Sequence, residues 1–190
     1  MSDQGAEGIL SAWLRRHRLA ATRPHLRGTV LDIGCGAGAL ADEYPAEHYV
    51  GVDIDEESLA VARHHHPEHQ FCAAADPELR VNTIALLAAI EHVADPAGFL
   101  RGLANHLLPG GHFVLTTPAP WTDRVHAWGA AMGLFSHAAH EEHEKLIDPP
   151  YMRAISHSAG LRVTYMRRFL FGANQLFILD RDPTKERSTL

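Results

Sequence analysis

Val30-Leu31-Asp32-Ile33-Gly34-Cys35-Gly36-Ala37-Gly38 is the stretch whose reading decides the fold. Thr29 to Ile33 is rich in β-branched and apolar residues and runs directly into glycine, which reads as a buried strand. Three glycines then alternate with small residues, as expected where the backbone turns sharply and approaches a ligand with no side chain in the way before entering a helix.

The same rhythm continues on both sides. Tyr49 to Val52 predicts a second strand that ends in Asp53, and Asp55 then caps a helix through Ser58, Leu59 and Ala62. Phe71 to Ala74 predicts a short third strand. Ile84 to Ile90 is an unbroken apolar run; a buried helix has the same composition, and length favours a central parallel strand covered on both faces. Asp95-Pro96 opens a helix with apolar positions at Phe99, Leu100, Leu103 and Leu107 and a stop at Pro109-Gly110-Gly111. His112 to Thr116 predicts a strand, Asp148-Pro149 opens a helix that ends at Gly160, and strands follow at Leu161 to Met166 and Asn174 to Leu179. Upstream, Ile9, Leu10, Trp13, Leu14 and Ala21 give a helical spacing within Glu7 to Ala21. The alternation predicts an α/β sandwich on a mostly parallel sheet. One domain is expected over residues 1–180, with residues 1–27 as a helical cap, 119–148 as an insertion and 181–190 as a frayed tail.

Composition narrows the function classes. The 190-residue chain carries a formal charge of −6 and no Lys/Arg-rich run, which argues against a phosphate-backbone partner and so against nucleic acid. Met1 to Gly8 is polar, without the basic and apolar succession of an export signal, and the apolar run Ile84 to Ile90 is far too short to span a bilayer. Only Cys35 and Cys72 are present, too few for a disulfide scaffold or a Cys-based zinc site. A soluble, cytoplasmic chain with no membrane span is the expectation; a homodimer is compatible with it.

The ligand of the glycine loop follows from charge. Asp53, at the end of the second strand, is placed to accept hydrogen bonds from both hydroxyls of an adenosine ribose. Gly34-x-Gly36-x-x-Ala39 comes close to the NAD fingerprint, yet Thr29 to Glu47 holds no Lys or Arg and does hold Asp32, Asp42, Glu43 and Glu47. A pyrophosphate is poorly served there. Asp32, two residues before the first glycine, suits the sulfonium and ammonium of S-adenosylmethionine. An NAD(P)-dependent oxidoreductase and a non-catalytic cofactor-binding module stay open as alternatives on the residues alone.

Asp32-x-Gly34-x-Gly36-x-Gly38, Gly51-Val52-Asp53, Ile90-Glu91-His92-Val93 and Leu108-Pro109-Gly110-Gly111 resemble, in order and spacing, the successive motifs of class I S-adenosylmethionine-dependent methyltransferases. The likeness is greatest to the small-molecule group that includes the ubiquinone-biosynthesis O-methyltransferases. It covers Gly28 to Pro118 strongly and the rest by element order. The resemblance implies a Rossmann-like three-layer sandwich with a seven-stranded sheet and a reversed C-terminal hairpin. It implies S-adenosylmethionine as cofactor, a small-molecule acceptor, and cofactor contacts at Asp32, Gly34, Cys35, Gly36, Gly38, Asp53, Ile54, Ala88 and Ala89. Asp76 falls where the family often has an adenine-contacting acid, although Asp76-Pro77 is also an ordinary turn signal. One departure is Asn82, which stands near a position that is commonly acidic.

His92, just past the apolar strand at the carboxyl edge, is a candidate general base, with capping of the following turn as its bland alternative. Residues 119–148 are too long for an ordinary connection, and Trp121, Val125, Trp128, Met132 and Phe135 form a helical apolar stripe, so a substrate lid is expected there, with packing on the sheet as the alternative. His143, near its end, is a second candidate base. No metal is expected: His64, His65 and His66 point in different directions on a helix and read with His69 as solvent-facing, and His137, His140 and His143 match no standard zinc spacing. Asp148-Pro149-Pro150-Tyr151 spells a base-amine-gripping motif of amino-methyltransferases, but before a helix it reads as a helix start.

Overall fold

In the computed structural model, residues 4–120 and 147–186 are described. They form α1 (Gln4–Thr22), β1 (Val30–Ile33), β2 (Tyr49–Val52), α2 (Glu56–His65), β3 (Gln70–Cys72), β4 (Val81–Leu87), α3 (Pro96–Ala104), β5 (Leu107–Pro118), α4 (Pro149–Ser158), β6 (Leu161–Phe169), β7 (Asn174–Arg181) and a last turn, α5 (Pro183–Glu186). The seven strands make one sheet in the order β3-β2-β1-β4-β5-β7-β6. β1 pairs in parallel with both β2 and β4, and Asp32 lies between Gly51 and Ala85. β7 runs antiparallel to both β5 and β6, which gives the reversed hairpin.

Strand periodicity divides the core between two faces. Leu31, Ile33, Ile84 and Leu86 pack with Leu100 of α3 and Met152 and Ile155 of α4. On the other face Val30 and Ala85 pack with Leu19 of α1, Leu59 and Ala62 of α2, Tyr49 and Phe71. All four residues of β1 and all four of β2 are buried, as a central parallel strand requires. The three predicted caps hold: Asp55 accepts from the Glu57 and Ser58 amides, Asp95 from Gly98, and Asp148 from Tyr151 at 2.7 Å. Asp148-Pro149 is therefore a helix start.

Several elements differ from expectation. β4 ends at Leu87 rather than Ile90, because Ala88 takes φ 58° and Ile90–His92 curls into a 3-10 turn. α3 ends at Ala104, and Leu107 to Gly111 already belongs to β5, where a register shift between Val81 and Thr83 accommodates the Pro-Gly-Gly. No α-helix follows the glycine loop. Gly38 at φ 83° and Pro45, which disfavours helix in the residue before it, leave room for one 3-10 turn at Ala41–Glu43. Finally, β7 runs to Arg181 rather than Leu179, and Asp182 accepts from the Thr184 amide and hydroxyl at the start of α5.

Asn82 has a structural task. Its Oδ1 accepts from the Thr29 amide at 3.0 Å, and Gly28, at φ 53°, passes so close that a Cβ there would stand 2.1 Å from that oxygen. The side chain thus ties β4 to the turn that launches β1.

Candidate active site

The loops leaving β1 and β4 turn to opposite sides of the sheet, and the crevice between them is where open α/β sheets bind ligands. Gly34 lines it: a Cβ there would approach the Ala89 Cβ to 3.1 Å, so the loops meet at that point. The Gly34 and Cys35 amides both donate to the Val52 carbonyl, at 2.8 and 3.1 Å, which folds the glycine loop back onto the end of β2.

That fold-back delivers Asp53. Its Oδ2 accepts from the Gly36 amide at 2.7 Å and its Oδ1 from the Asp55 amide at 3.0 Å. Each carboxylate oxygen has further acceptor capacity, so the group is fixed in place yet still able to take two hydroxyl donors. Ile54 follows with 93% of its surface exposed, an unpaid apolar face beside a polar anchor. Gly36, at φ 52°, would find nothing within 4 Å of an added Cβ, so open space lies above the loop.

Asp32 lies beneath the loop, 3% exposed, and the buried Tyr49 hydroxyl donates to its Oδ2 at 2.8 Å. Burial raises the Asp32 pKa to about 7; the Tyr49 hydrogen bond opposes that shift and the Asp53 charge adds to it. Burial, with Asp32 next, pushes the Tyr49 phenol well above its usual range. The Cys35 thiol is pushed up to about 12, chiefly by burial and then by Asp32 and Asp53, which makes it an inert packing group rather than a nucleophile.

The described sequence-predicted residues lie in β1 or on the loops that leave β1, β2 and β4, with Asp76 as the exception. Ala88 and Ala89 sit at the end of β4, where the Ala88 amide donates to the Thr116 carbonyl at 2.8 Å. Asp76, four residues past β3, is exposed and its Oδ1 accepts from the Glu78 amide at 2.8 Å, so it serves a turn beside the crevice. His92 closes the Ile90–His92 turn with an exposed side chain, while Glu91 is buried. His143 and the expected lid stripe, within residues 121–146, lie outside the described residues.

Three groups were missed in the sequence. Arg18 of α1 reaches the carboxyl edge, where its Nε donates to Asn174 Oδ1 at 3.0 Å. Burial lowers the Arg18 pKa and the Glu91 charge raises it, so cap, β4 loop and β7 share one electrostatic cluster. Gln175 Nε2 donates to the Ile147 and Pro118 carbonyls at 2.8 and 3.3 Å and thereby joins the two ends of the 119–148 segment. Tyr49 is legible in the sequence only as the first residue of the second strand; its pairing with Asp32 across β1 and β2 needs the register to be seen. Histidine also needs correcting: His64 and His65 are exposed, but His66 and His69 pack on Phe71, and His69 Nε2 donates to the Tyr44 carbonyl at 2.8 Å. Among the described residues, no three His, Cys, Asp or Glu side chains converge to hold a metal. No described helix is long and apolar enough to cross a membrane.

Residues 7–165 match a family model described as a methyltransferase domain. Among curated relatives, a ubiquinone biosynthesis O-methyltransferase of Aeromonas salmonicida is 30% identical over 153 residues, covering 72% of this chain and 64% of the relative. A ubiquinone biosynthesis O-methyltransferase of Marinobacter nauticus is 29% identical over 171 residues, covering 80% and 71%. In fold, the chain is similar to magnesium protoporphyrin IX methyltransferase from Synechocystis, solved with bound S-adenosylhomocysteine, at TM-score 0.63 and 18% identity, covering 89% of this chain and 82% of that one.

Proposed function

The chain belongs to the methyltransferase domain family, in its class I, S-adenosylmethionine-dependent branch, and from that premise we propose that it moves the cofactor's methyl group to an oxygen of a small molecule, releasing S-adenosylhomocysteine. The observation that carries this reading is Asp53: a carboxylate pinned by the Gly36 and Asp55 amides at the crevice, with the bare Ile54 side chain next to it. Asp53 holds the ribose diol, Ile54 covers one face of the adenine, and Gly34 and Gly36 let the backbone close on the chain between them. Tyr49 holds one oxygen of Asp32, and the other takes the cofactor's cationic end.

Bound S-adenosylmethionine supplies a methyl already activated by its sulfonium. Much of the rate then comes from alignment, on the order of 7 to 11 kcal/mol where the reacting atoms are well oriented. His92, exposed at the carboxyl edge, accepts the hydroxyl proton of the acceptor as its oxygen attacks. The oxygen acceptor rests on the curated relatives, both of which are O-methyltransferases by name.

The dinucleotide alternative is disfavoured by the missing helix. A pyrophosphate is held by the amides and dipole of a helix N-terminus, and here Gly38 leads into turns and the 3-10 segment Ala41–Glu43, with Asp42 and Glu43 in it. The test is equilibrium binding of S-adenosylhomocysteine against NAD, followed by incubation with radiolabelled S-adenosylmethionine and a panel of phenols and catechols. Cofactor-dependent labelling of an acceptor is expected. NAD binding in place of S-adenosylhomocysteine would overturn the cofactor assignment, and binding without labelling of any acceptor would favour the non-catalytic module.

A further inference from the structure

A groove of about 840 Å³ lies at the opposite edge of the sheet from the crevice. It is lined by the start of β5, the end of β7, the middle of β6 and the segment that leaves α1. From His112 to Pro118 the strand β5 runs roughly 20 Å at 3.3 Å per residue, so this groove is separate from the carboxyl edge. The volume is in the range of small-molecule sites.

Its chemistry runs against that of the chain as a whole. The formal charge of the protein is −6, yet Arg27, Arg181, His25 and His112 line the groove against Asp180 as its one carboxylate. Each of these side chains is held differently. Arg181 Nη2 donates to the Ala104 and Leu107 carbonyls, which anchors that guanidinium at the end of α3. His112 is 6% exposed, and its Nε2 faces the His25 carbonyl at 2.7 Å; a carbonyl only accepts, so Nε2 carries the hydrogen. The His25 ring lies tilted against that of Tyr165, with centroids 5.2 Å apart. Burial lowers the His25 pKa first, and the neighbouring Arg167, His112 and Arg27 lower it further. Arg27 is exposed, and among the described ion pairs none involves it, Arg167 or Arg181. Beside these side chains lie Leu107, Pro109, Ile178 and the Tyr165 ring, an apolar wall.

We propose that this groove is a second ligand site, taking a small organic anion whose phosphate or carboxylate head meets Arg27 and His25 and whose apolar body lies along Tyr165 and Ile178. A guanidinium without a carboxylate partner is the group best suited to a phosphate or carboxylate, through paired N–H donors. The inference does not depend on the acceptor or the cofactor assigned to the crevice.

The experiment is calorimetry on the full chain saturated with S-adenosylhomocysteine, with phenyl phosphate and benzoate as probes and benzyl alcohol as the uncharged control. Saturable binding of at least one anion is expected, weaker at high ionic strength, lowered at least about five-fold by Arg27→Gln and recovered in part by Arg27→Lys. S-adenosylhomocysteine affinity and melting temperature should stay the same in both variants, since the Arg27 side chain is exposed. No saturable binding of either anion, equal binding of benzyl alcohol, or anion binding untouched by Arg27→Gln overturns the proposal.

Discussion

Asp32 should make cofactor binding depend on pH in a direction opposite to its effect on stability. In the free protein its pKa is about 7, raised from 3.8 mainly by burial. A carboxyl group whose folded pKa exceeds its unfolded one keeps its proton in the native state while the unfolded chain loses it. Folding stability therefore falls as pH rises from about 4 to about 7 and is level above that. A shift of about three units corresponds to about 4 kcal/mol, an upper limit for Asp32→Asn to recover at pH 8 relative to pH 4. Binding runs the other way. A cationic ligand favours the ionised carboxylate, so between pH 5.5 and 7 binding expels a proton and affinity should rise by up to about ten-fold per pH unit. The window stops at 7 because the ligand's own α-ammonium titrates at about 7.7 to 8.0. Calorimetry with S-adenosylmethionine in buffers of differing ionisation enthalpy measures the released proton directly. Asp32→Asn should abolish both the release and the slope, and Tyr49→Phe, which removes a hydrogen bond that lowers the Asp32 pKa, should move the midpoint upward. A wild-type affinity that is flat over this window, or a slope that survives in Asp32→Asn, refutes the placement of the cationic end at Asp32.

Asp53→Ala should weaken S-adenosylhomocysteine binding by about 1 to 3 kcal/mol, as expected for charge-assisted hydrogen bonds, with the loss read by calorimetry. His92→Ala should lower kcat for a hydroxyl acceptor by about 10² to 10⁴ with cofactor affinity intact; equal turnover would leave His92 as a turn cap only. Gly51→Ala would place a Cβ 2.6 Å from Phe71 Cδ1 and 3.0 Å from Cys35 Sγ, so it should lower stability by about 1 to 3 kcal/mol in urea denaturation. Gln175→Leu strips the donor from the buried Ile147 and half-buried Pro118 carbonyls and should reduce stability by about 1 to 3 kcal/mol, with an unchanged melting temperature counting against the clasp between the ends of the 119–148 segment.

What was legible in the sequence is what local chemistry dictates. Asp55, Asp95 and Asp148 announce their helices because an acid before a helix start satisfies its own neighbours' amides, whatever the rest of the chain does. β1 and its glycines were readable for a similar reason: an apolar run followed by positive-φ positions has few other uses. Ends that depend on a partner strand were not. The Ile84 to Ile90 run stays apolar past Leu87, so hydrophobicity alone could not register that Ala88 turns to reach the Thr116 carbonyl. Pro109-Gly110-Gly111 looks like punctuation in one dimension, but the register shift against Val81 and Thr83 absorbs it into β5. The most consequential gap is the helix that does not follow the loop. The spacing of glycines comes close to that of a pyrophosphate binder, and what tells against a pyrophosphate here is what stands after Gly38. Between that glycine and Pro45 the chain can close only one 3-10 turn, and its acids Asp42 and Glu43 occupy the place where a phosphate would need a helix end. The glycine loop is thus a platform tied to Asp53 through the Gly36 amide, with the carboxylates of Asp32 and Asp53 rather than a helix end beside it.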